Sequence, residues 1–293
     1  MNNAFSKFHP LSSFIYFVCV IGFAVFTQHP IIRGIGLISG ICFFILLNER
    51  NVNKELAFIL MFFFIIAITN PLFFHDGKTV LFFLHGNAIT LESIIAGISM
   101  SVMMISAVFW LWCFGIIFTC EKVMYLFSKI SPKISLIISM IMRFIPLLKD
   151  RHKQTQGCQK AMGLYTSDKL TDRVKSAVRI FSILVTYALE HSLETETAMR
   201  ARGFSSKKRT SGLTYSFKKR DSLLLAICLT LSLALLFGAV SEKLQFYYYP
   251  SLSINASYST SVMYLLLFFI LAFMPVFIEI KEAAMWKYSL SKI

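Results

Sequence analysis

Two short basic segments, each closing on a glycine, have the residue types and spacing that suit a specific chemistry. They comprise Lys160, Ala161, Met162 and Gly163, and then Arg200, Ala201, Arg202 and Gly203. Cationic side chains near a helix C-terminus interact favourably with the helix dipole, and small residues beside a terminal glycine let another backbone approach closely. The pattern is compatible with non-covalent docking of a partner at two helix ends. On these short motifs alone, however, two ordinary helix C-caps are the simpler interpretation.

Residues capable of covalent or metal chemistry are scattered along the chain. His75, His85, His152 and His191 form no metal-ligand spacing such as HExxH, and the six cysteines contain no CxxC pair. The sequence has no glycine-rich phosphate loop either, so any nucleotide hydrolysis must come from a partner. We therefore predict a chain with no catalytic residues, no metal site and no cofactor of its own.

The composition indicates an integral membrane protein. Of the 293 residues 56% are hydrophobic and 15% are charged, with a mean hydropathy of +0.68. A helix needs about 20 mostly apolar residues to cross the hydrocarbon layer, and six segments qualify: 11–27, 31–47, 56–74, 94–118, 223–240 and 261–278. We therefore predict an all-α integral membrane protein with about six transmembrane helices, the first of them a retained anchor.

Polar residues inside these segments lead to two local expectations. Arg33 is the only charged residue within the six, and we expect it to reach the interface along its own methylene groups. Asn70 and Pro71 lie near the end of the third segment, and we expect them to break its last turn.

Positive charge is concentrated in one third of the chain. Residues 121–220 hold 20 Lys and Arg and seven Asp and Glu, which accounts for +13 of the formal net charge of +14. The positive-inside rule places this third in the cytoplasm. We predict four transmembrane helices over residues 1–120, cytoplasmic helices over 121–220 and a transmembrane hairpin over 221–293. Both termini are then cytoplasmic, in the plasma membrane.

The basic middle segment is predicted to contain three helices. The first spans about residues 121–151, with Pro132 at a start and Pro146 at a kink or stop. The second is short, spans about 149–160 and ends where Gly163 adopts a left-handed turn.

The third helix is predicted to be long and to end near residue 202, where Gly203 closes it as Gly163 closes the second. Its candidate N-caps are Thr166, Ser167, Asp168 and Thr171. Apolar residues recur at helical spacing, at Val174, Ala177, Val178, Phe181, Leu184, Val185 and Ala188, so one face is predicted to pack. Near the end, Glu196 precedes Arg200 by four residues, a pairing worth about 0.3 kcal/mol.

The order of these features resembles the T component of energy-coupling factor (ECF) transporters. The resemblance is closest over about residues 119–210, and it rests on the motifs Arg143-Phe144-Ile145-Pro146, Lys160-Ala161-Met162-Gly163 and Ala198-Met199-Arg200-Ala201-Arg202-Gly203-Phe204. It implies a membrane scaffold whose two Ala-Arg-Gly-type helix ends insert into two ABC-type ATPases, while another part holds a small substrate-binding S membrane protein. ATP and Mg²⁺ would be bound by the ATPases.

The resemblance also assigns roles to individual residues. Ala201, Arg202 and Gly203 match the second docking motif fully, whereas the first motif matches at Ala161 and Gly163 but has Met162 where the family has arginine. Either Lys160 substitutes for that arginine, or the first contact is mainly apolar. Arg143, Phe144 and Pro146 match a recurrent family segment with a structural role in a coupling helix. The apolar faces of residues 123–148 and 174–189 are the expected S-component contacts.

Several alternatives stay open at this stage. An autonomous membrane permease is one, although no charged residue marks an ion path within a span. A scaffold that binds anionic lipid at the inner face is another, since each well-placed cation contributes about 1 kcal/mol to such binding. Nucleic-acid binding lacks any recognisable module. The substrate, a vitamin, a vitamin precursor or a transition-metal ion, would be chosen by the S component.

Overall fold

The computed structural model describes residues 5–47, 52–74, 77–84, 87–163, 170–203, 215–241, 244–249, 253–254 and 258–290. After a short 3-10 helix over Phe5–Lys7, the helices are α1 (Pro10–Phe26), α2 (Pro30–Leu47), α3 (Val52–Phe73), α4 (Leu91–Ile117), α5 (Cys120–Ile130), α6 (Pro132–Ala161), α7 (Leu170–Ala201), α8 (Lys219–Val240) and α9 (Tyr258–Leu290). Two antiparallel pairs of short strands, β1 (Val80–Leu84) with β2 (Asn87–Thr90) and β3 (Phe246–Tyr247) with β4 (Ser253–Ile254), connect helices. The all-α prediction is confirmed.

All six predicted hydrophobic segments are helices, namely α1 to α4, α8 and α9. Four helical stretches are long and apolar enough to cross a membrane: Pro30–Leu47, Leu91–Ile117, Lys219–Val240 and Thr260–Trp286. Pro10–Phe26 and Ile59–Phe73 are shorter apolar helices. A multi-pass membrane protein follows from these lengths and compositions.

Small residues on α2 let α4 approach it closely. The indole Nε1 of Trp110, a fully buried residue, donates a hydrogen bond to the Gly36 carbonyl oxygen at 3.0 Å. A Cβ atom on Gly40 would lie 3.2 Å from the same Nε1 and 3.3 Å from the Phe109 Cβ. Because lipid tails are as apolar as the side chains, such close contact and interhelical hydrogen bonding hold the helices together.

The expected break at Asn70 and Pro71 was wrong, because α3 continues through Pro71 to Phe73. Proline deprives the Ala67 carbonyl of its helical partner, but that oxygen packs against α4, where a Cβ on Gly97 would lie only 2.7 Å from it. The Asn70 amide Nδ2 donates to the Ser93 carbonyl at 3.1 Å. Contacts with α4 therefore stabilise the last turn of α3.

The expectation for Arg33 was also wrong, because its side chain is held inside the protein with 6% of the residue exposed. Nε donates to the Thr27 carbonyl at 3.1 Å, and Nη1 donates to Ser99 Oγ at 2.8 Å. The Ser99 and Tyr248 hydroxyl oxygens are 2.6 Å apart, and Tyr248 also donates to the Gln28 carbonyl. Protein groups thus supply the polar partners that the interface was expected to provide.

Carboxylates at the ends of α8 and α9 hold the N-terminal segment. Asp221, buried in the first turn of α8, accepts hydrogen bonds from the backbone N–H groups of His9 and Lys218 at 3.0 and 2.9 Å. Glu279 accepts the Phe5 N–H, and the Lys7 Nζ lies 2.7 Å from Glu282. Apart from the local Lys218 contact, these contacts join residues more than 200 positions apart. Sequence reasoning missed them because nothing near one partner in the sequence points to the other.

The described chain forms two compact units, Met1–Lys122 with Tyr215–Ile293, and Val123–Thr214. The predicted division at residues 120 and 220 stays a prediction. Three helices were predicted for the basic middle segment, and its described residues form three. The third, α7, ends at Ala201, close to the predicted residue 202, whereas the bounds of the first two differ from the prediction. The predicted first helix is divided at Ser131, and Pro132 begins α6, which continues through Pro146 to Ala161 and absorbs the predicted short second helix.

Helix α6 continues through Pro146 although a proline there removes one helical hydrogen bond. An interior proline costs about 3 kcal/mol, and here the freed carbonyl belongs to Met142, an exposed residue. Thr171 lies inside α7 and does not cap it, since the helix already includes Leu170. The other N-cap candidates, Thr166, Ser167 and Asp168, lie outside the described residues.

Candidate docking site: the ends of helices α6 and α7

The end of α6 is a tight turn around a left-handed glycine. The Met162 N–H donates to the Cys158 carbonyl, and the Gly163 N–H donates to the Lys160 carbonyl, both at 3.0 Å. Gly163 has φ +71°, a conformation that costs other L-residues roughly 1–2 kcal/mol.

The end of α7 repeats this turn. The Arg202 N–H donates to the Ala198 carbonyl at 3.2 Å, the Gly203 N–H donates to the Arg200 carbonyl at 3.0 Å, and Gly203 has φ +74°. In both helices the residue before the glycine bonds four positions back and the glycine bonds three positions back. The predicted left-handed turns at both glycines are confirmed, and the two ends share one backbone geometry.

All eight predicted docking residues are exposed, namely Lys160, Ala161, Met162, Gly163, Arg200, Ala201, Arg202 and Gly203. The two arginines of the second end differ in their surroundings. Arg200 forms the predicted ion pair with Glu196, whereas no ion pair is recorded for Arg202 among the described residues. At the first end the exposed group beside the glycine is the Met162 side chain, with 67% of the residue exposed. Directly before the glycine, one end thus presents a cation and the other an apolar side chain, although the exposed Lys160 also lies at the first end.

The two turns lie at opposite ends of an antiparallel helix pair. The Phe144 ring of α6 is 5.2 Å from the His191 ring of α7, and seven residues later Arg151 lies over Tyr187, four residues before His191. The contact positions rise along α6 while they fall along α7, so the two helices are antiparallel. Gly163 is then about 28 Å beyond this crossing in one direction and Gly203 about 18 Å in the other, at 1.5 Å per residue.

The predicted coupling-helix residues lie beside this crossing. Phe144 packs on His191, and Arg143 lines a cavity of about 380 Å³ that Arg202 of α7 also lines. Pro146 is exposed within α6. Sequence reasoning missed His191, whose ring also stacks on Tyr187 at 5.9 Å. The signal was available, because Tyr187 and His191 are four residues apart and share one helix face.

Of the seven residues on the predicted packing face of α7, five are exposed, and only Leu184 and Ala188 are partly shielded. Its exposed members include Val174, Val178, Phe181 and Val185. The more shielded stripe of α7 lies beside that face and has spacings of three and four; it includes Ser176, Ile180, Leu184, Tyr187 and His191. Helix α6 also carries an exposed apolar stripe, comprising Ile134, Ile137, Ile141 and Ile145. Each helix therefore has an apolar face that the described chain leaves uncovered.

Within the described residues, no group of three or more His, Cys, Asp or Glu side chains could hold a metal ion. His75 and His85, which were considered as metal ligands in the sequence, lie outside those residues. The docking turns thus offer a shared backbone geometry, the exposed guanidinium of Arg202 and apolar surface, which together suit protein binding.

Comparisons with known proteins identify the family to which the chain belongs. Residues 1–212 match the family CbiQ, described as "Cobalt transport protein". The chain is similar to two proteins named "Energy-coupling factor transporter transmembrane protein EcfT". It is 33% identical to the one from Listeria innocua over 108 residues, covering 36% of this chain and 39% of the relative. It is 27% identical to the one from Staphylococcus aureus over 188 residues, covering 60% and 70%.

A third relative of the same name, from Limosilactobacillus fermentum, is 31% identical over 34% of this chain. The matches span about two fifths of the lengths of the Listeria and Limosilactobacillus relatives. The family match covers well over half of the 293 residues. The chain therefore belongs to the CbiQ family and is a transmembrane T component of the ECF transporter type.

Proposed function

We propose that this chain is the non-catalytic T subunit of an ECF-type ABC importer, coupling ATP hydrolysis by two partner ATPases to substrate release by an S component. One observation carries the proposal: two exposed helix ends share the same glycine turn at opposite ends of one helix pair. Two helix ends with the same backbone turn, up to about 45 Å apart from 31 residues at 1.5 Å each, suit similar grooves on two neighbouring subunits. ATP and Mg²⁺ bind in those ATPases.

In this proposal, motion of the ATPases reaches the membrane through α6 and α7. Closure of the two ATPases on ATP displaces the grooves that hold the helix ends. Each helix is about 45 Å long at 1.5 Å per residue, and the contacts at Phe144 and His191 tie the two together. A continuous helix pair transmits that displacement because packed elements move as units.

The uncovered apolar faces of α6 and α7 are the proposed seat of the S component. Phe181, with 68% of the residue exposed, and Ile141, with 50%, are central members of the two stripes. A membrane partner resting on them would be tilted when the helices move, and its substrate would leave toward the cytoplasm. The substrate is a vitamin, a vitamin precursor or a transition-metal ion, and the S component selects it.

Charge supports the proposed orientation. The 20 basic residues of positions 121–220 favour the cytoplasmic side, where anionic lipid attracts them, and both termini are then cytoplasmic. This attraction to anionic lipid would act together with ATPase docking, and it would be present even without the ATPases.

The test is affinity purification of the tagged chain from its native membrane, with partners identified by mass spectrometry. Arg202→Glu is compared with Arg179→Glu, which makes the same charge change at an exposed position inside α7. Truncating one side of a desolvated charge pair costs about 2–5 kcal/mol, so Arg202→Glu should lose at least one ATPase and Arg179→Glu should keep both. If wild type brings down no ATPase, coupling is refuted, and an autonomous permease or lipid-binding scaffold becomes the better explanation.

A second pair of variants separates the two partners. Phe181→Asp places a charge on the apolar face, while Ser182→Asp places it on the next exposed residue. We expect the first to lose the small membrane partner and keep the ATPases, and the second to keep both. Loss of both partners in Phe181→Asp would contradict separate docking surfaces.

A further inference from the structure

Helices α1 and α8 enclose a groove that the proposed coupling function does not use. Its volume is about 550 Å³, and its walls include Val18 and Phe26 of α1 and Leu236 of α8. The two helices run side by side in the same direction, because Asp221 at the start of α8 bonds His9 just before α1 and both helices end at the groove.

The groove exists because side chains are small where the helices face each other. Gly22 lines it from α1 and Ser232 and Ala239 line it from α8. A Cβ atom built on Gly22 would meet nothing within 4 Å. The groove opens sideways, since Val18 and Leu236 line it and are 53% and 50% exposed. In a membrane protein this lateral surface faces lipid.

The polarity of the lining changes along the groove. Except for Ser232, the side chains that line the groove along the two helices are apolar or thiol groups, whereas the polar residues Thr27, Gln28 and Gln245 lie where α1 and α8 have ended. This end is also built to hold its shape, because Arg33 Nε donates to the Thr27 carbonyl at 3.1 Å and Tyr248 donates to the Gln28 carbonyl at 3.0 Å. An apolar slot with a fixed polar mouth matches an amphiphile with a long apolar tail.

We propose that this groove binds one acyl chain of a membrane glycerophospholipid, with the ester and headgroup region at Thr27, Gln28 and Gln245. The occupant comes from the bilayer itself, which is the medium in contact with the open side of the groove. Hydrocarbon gains no hydrophobic advantage by leaving other lipid, so the preference rests on close packing and on polar contacts at the mouth. Under the predicted topology the lipid belongs to the outer leaflet.

The test is photolabelling of the full chain in nanodiscs of phosphatidylcholine and phosphatidylglycerol, doped with a phosphatidylcholine that carries a diazirine in one acyl chain. Labelled residues are mapped by mass spectrometry. Because the groove offers close packing along two helices and polar contacts at its mouth, we expect about tenfold more label on residues 18–28 and 232–247 than on the exposed surface of α3, a ratio equivalent to about 1.4 kcal/mol.

Two variants fill the groove from opposite walls, Gly22→Leu and Ala239→Leu. Gly34→Leu is the matched control, because Gly34 also lies in a membrane helix with nothing within 4 Å of its Cβ position, and it does not line the groove. Both filling variants should reduce the label to that of α3, and the control should not.

Even labelling of all exposed helices in wild type would overturn the proposal. So would enriched labelling that survives both filling variants, or a groove left unlabelled in the purified chain. Should Gly22→Leu fail to fold, Ala239→Leu decides the outcome alone.

Discussion

Replacing Gly203 by alanine tests the glycine turn as the element that docks. Gly203 has φ +74°, and no atom lies within 4 Å of the position its Cβ would take, so alanine causes no clash and acts only through the backbone. Holding an L-residue in the left-handed region costs roughly 1–2 kcal/mol. If the docked state requires this turn, the dissociation constant of the ATPase at this end should rise about 5- to 30-fold.

The assay is a titration of the detergent-solubilised chain with the ATPases that co-purify with it. Gly157→Ala is the control, because Gly157 lies inside α6 with similarly open space at its Cβ position. There alanine favours the helix by roughly 0.5–1 kcal/mol, so binding should stay unchanged and thermal stability should not fall. Circular dichroism should give wild-type helicity for Gly203→Ala. Wild-type affinity in a folded Gly203→Ala protein would refute the reasoning.

Three further outcomes follow from the structure. Gly238→Ala should lower the thermal unfolding midpoint, since its Cβ would lie 2.7 Å from the Tyr264 ring and overpacking costs about 1–3 kcal/mol; an unchanged midpoint would contradict this packing. Arg33→Ala should lower the free energy of unfolding by about 1–3 kcal/mol, because the Thr27 carbonyl loses its hydrogen-bond donor. An unchanged free energy of unfolding would mean that the Arg33 side chain reaches solvent. A variant retaining only the exposed Cys158 should react with a membrane-impermeant maleimide in inverted vesicles and not in intact cells, and the reverse result would overturn the predicted topology.

The parts of the docking site that sequence predicts are those set by local chemistry. Gly163 and Gly203 each follow a predicted helix, and a glycine there adopts the left-handed turn with little influence from the rest of the chain. The Glu196–Arg200 pair is equally local, because four residues bring both onto one helix face. What sequence could not predict is how these ends are arranged, since the antiparallel contact of Phe144 with His191 joins residues 47 positions apart.

The errors concern residues whose preferences were overridden by contacts with distant parts of the chain. Pro71 is an intrinsic helix breaker, but the Ala67 carbonyl that it leaves unpaired packs against Gly97. Arg33 was expected at the interface, and Ser99 together with the Thr27 carbonyl satisfies it inside the protein. Sequence propensities describe the preference of a residue for its local conformation or environment. In both cases contacts with another part of the chain contribute more than that local preference.

By itself the sequence determined the hydrophobic helices, the helix-terminating glycines and the charge asymmetry, because each depends on composition or on spacing within a few residues. Tertiary structure alone decided which faces meet. It placed Trp110 on Gly36, joined Asp221 to His9, and left the apolar stripe of Phe181 uncovered while Ile180 packs. Such pairings depend on the shape of surfaces brought together from distant positions, and no single segment encodes both surfaces of a contact.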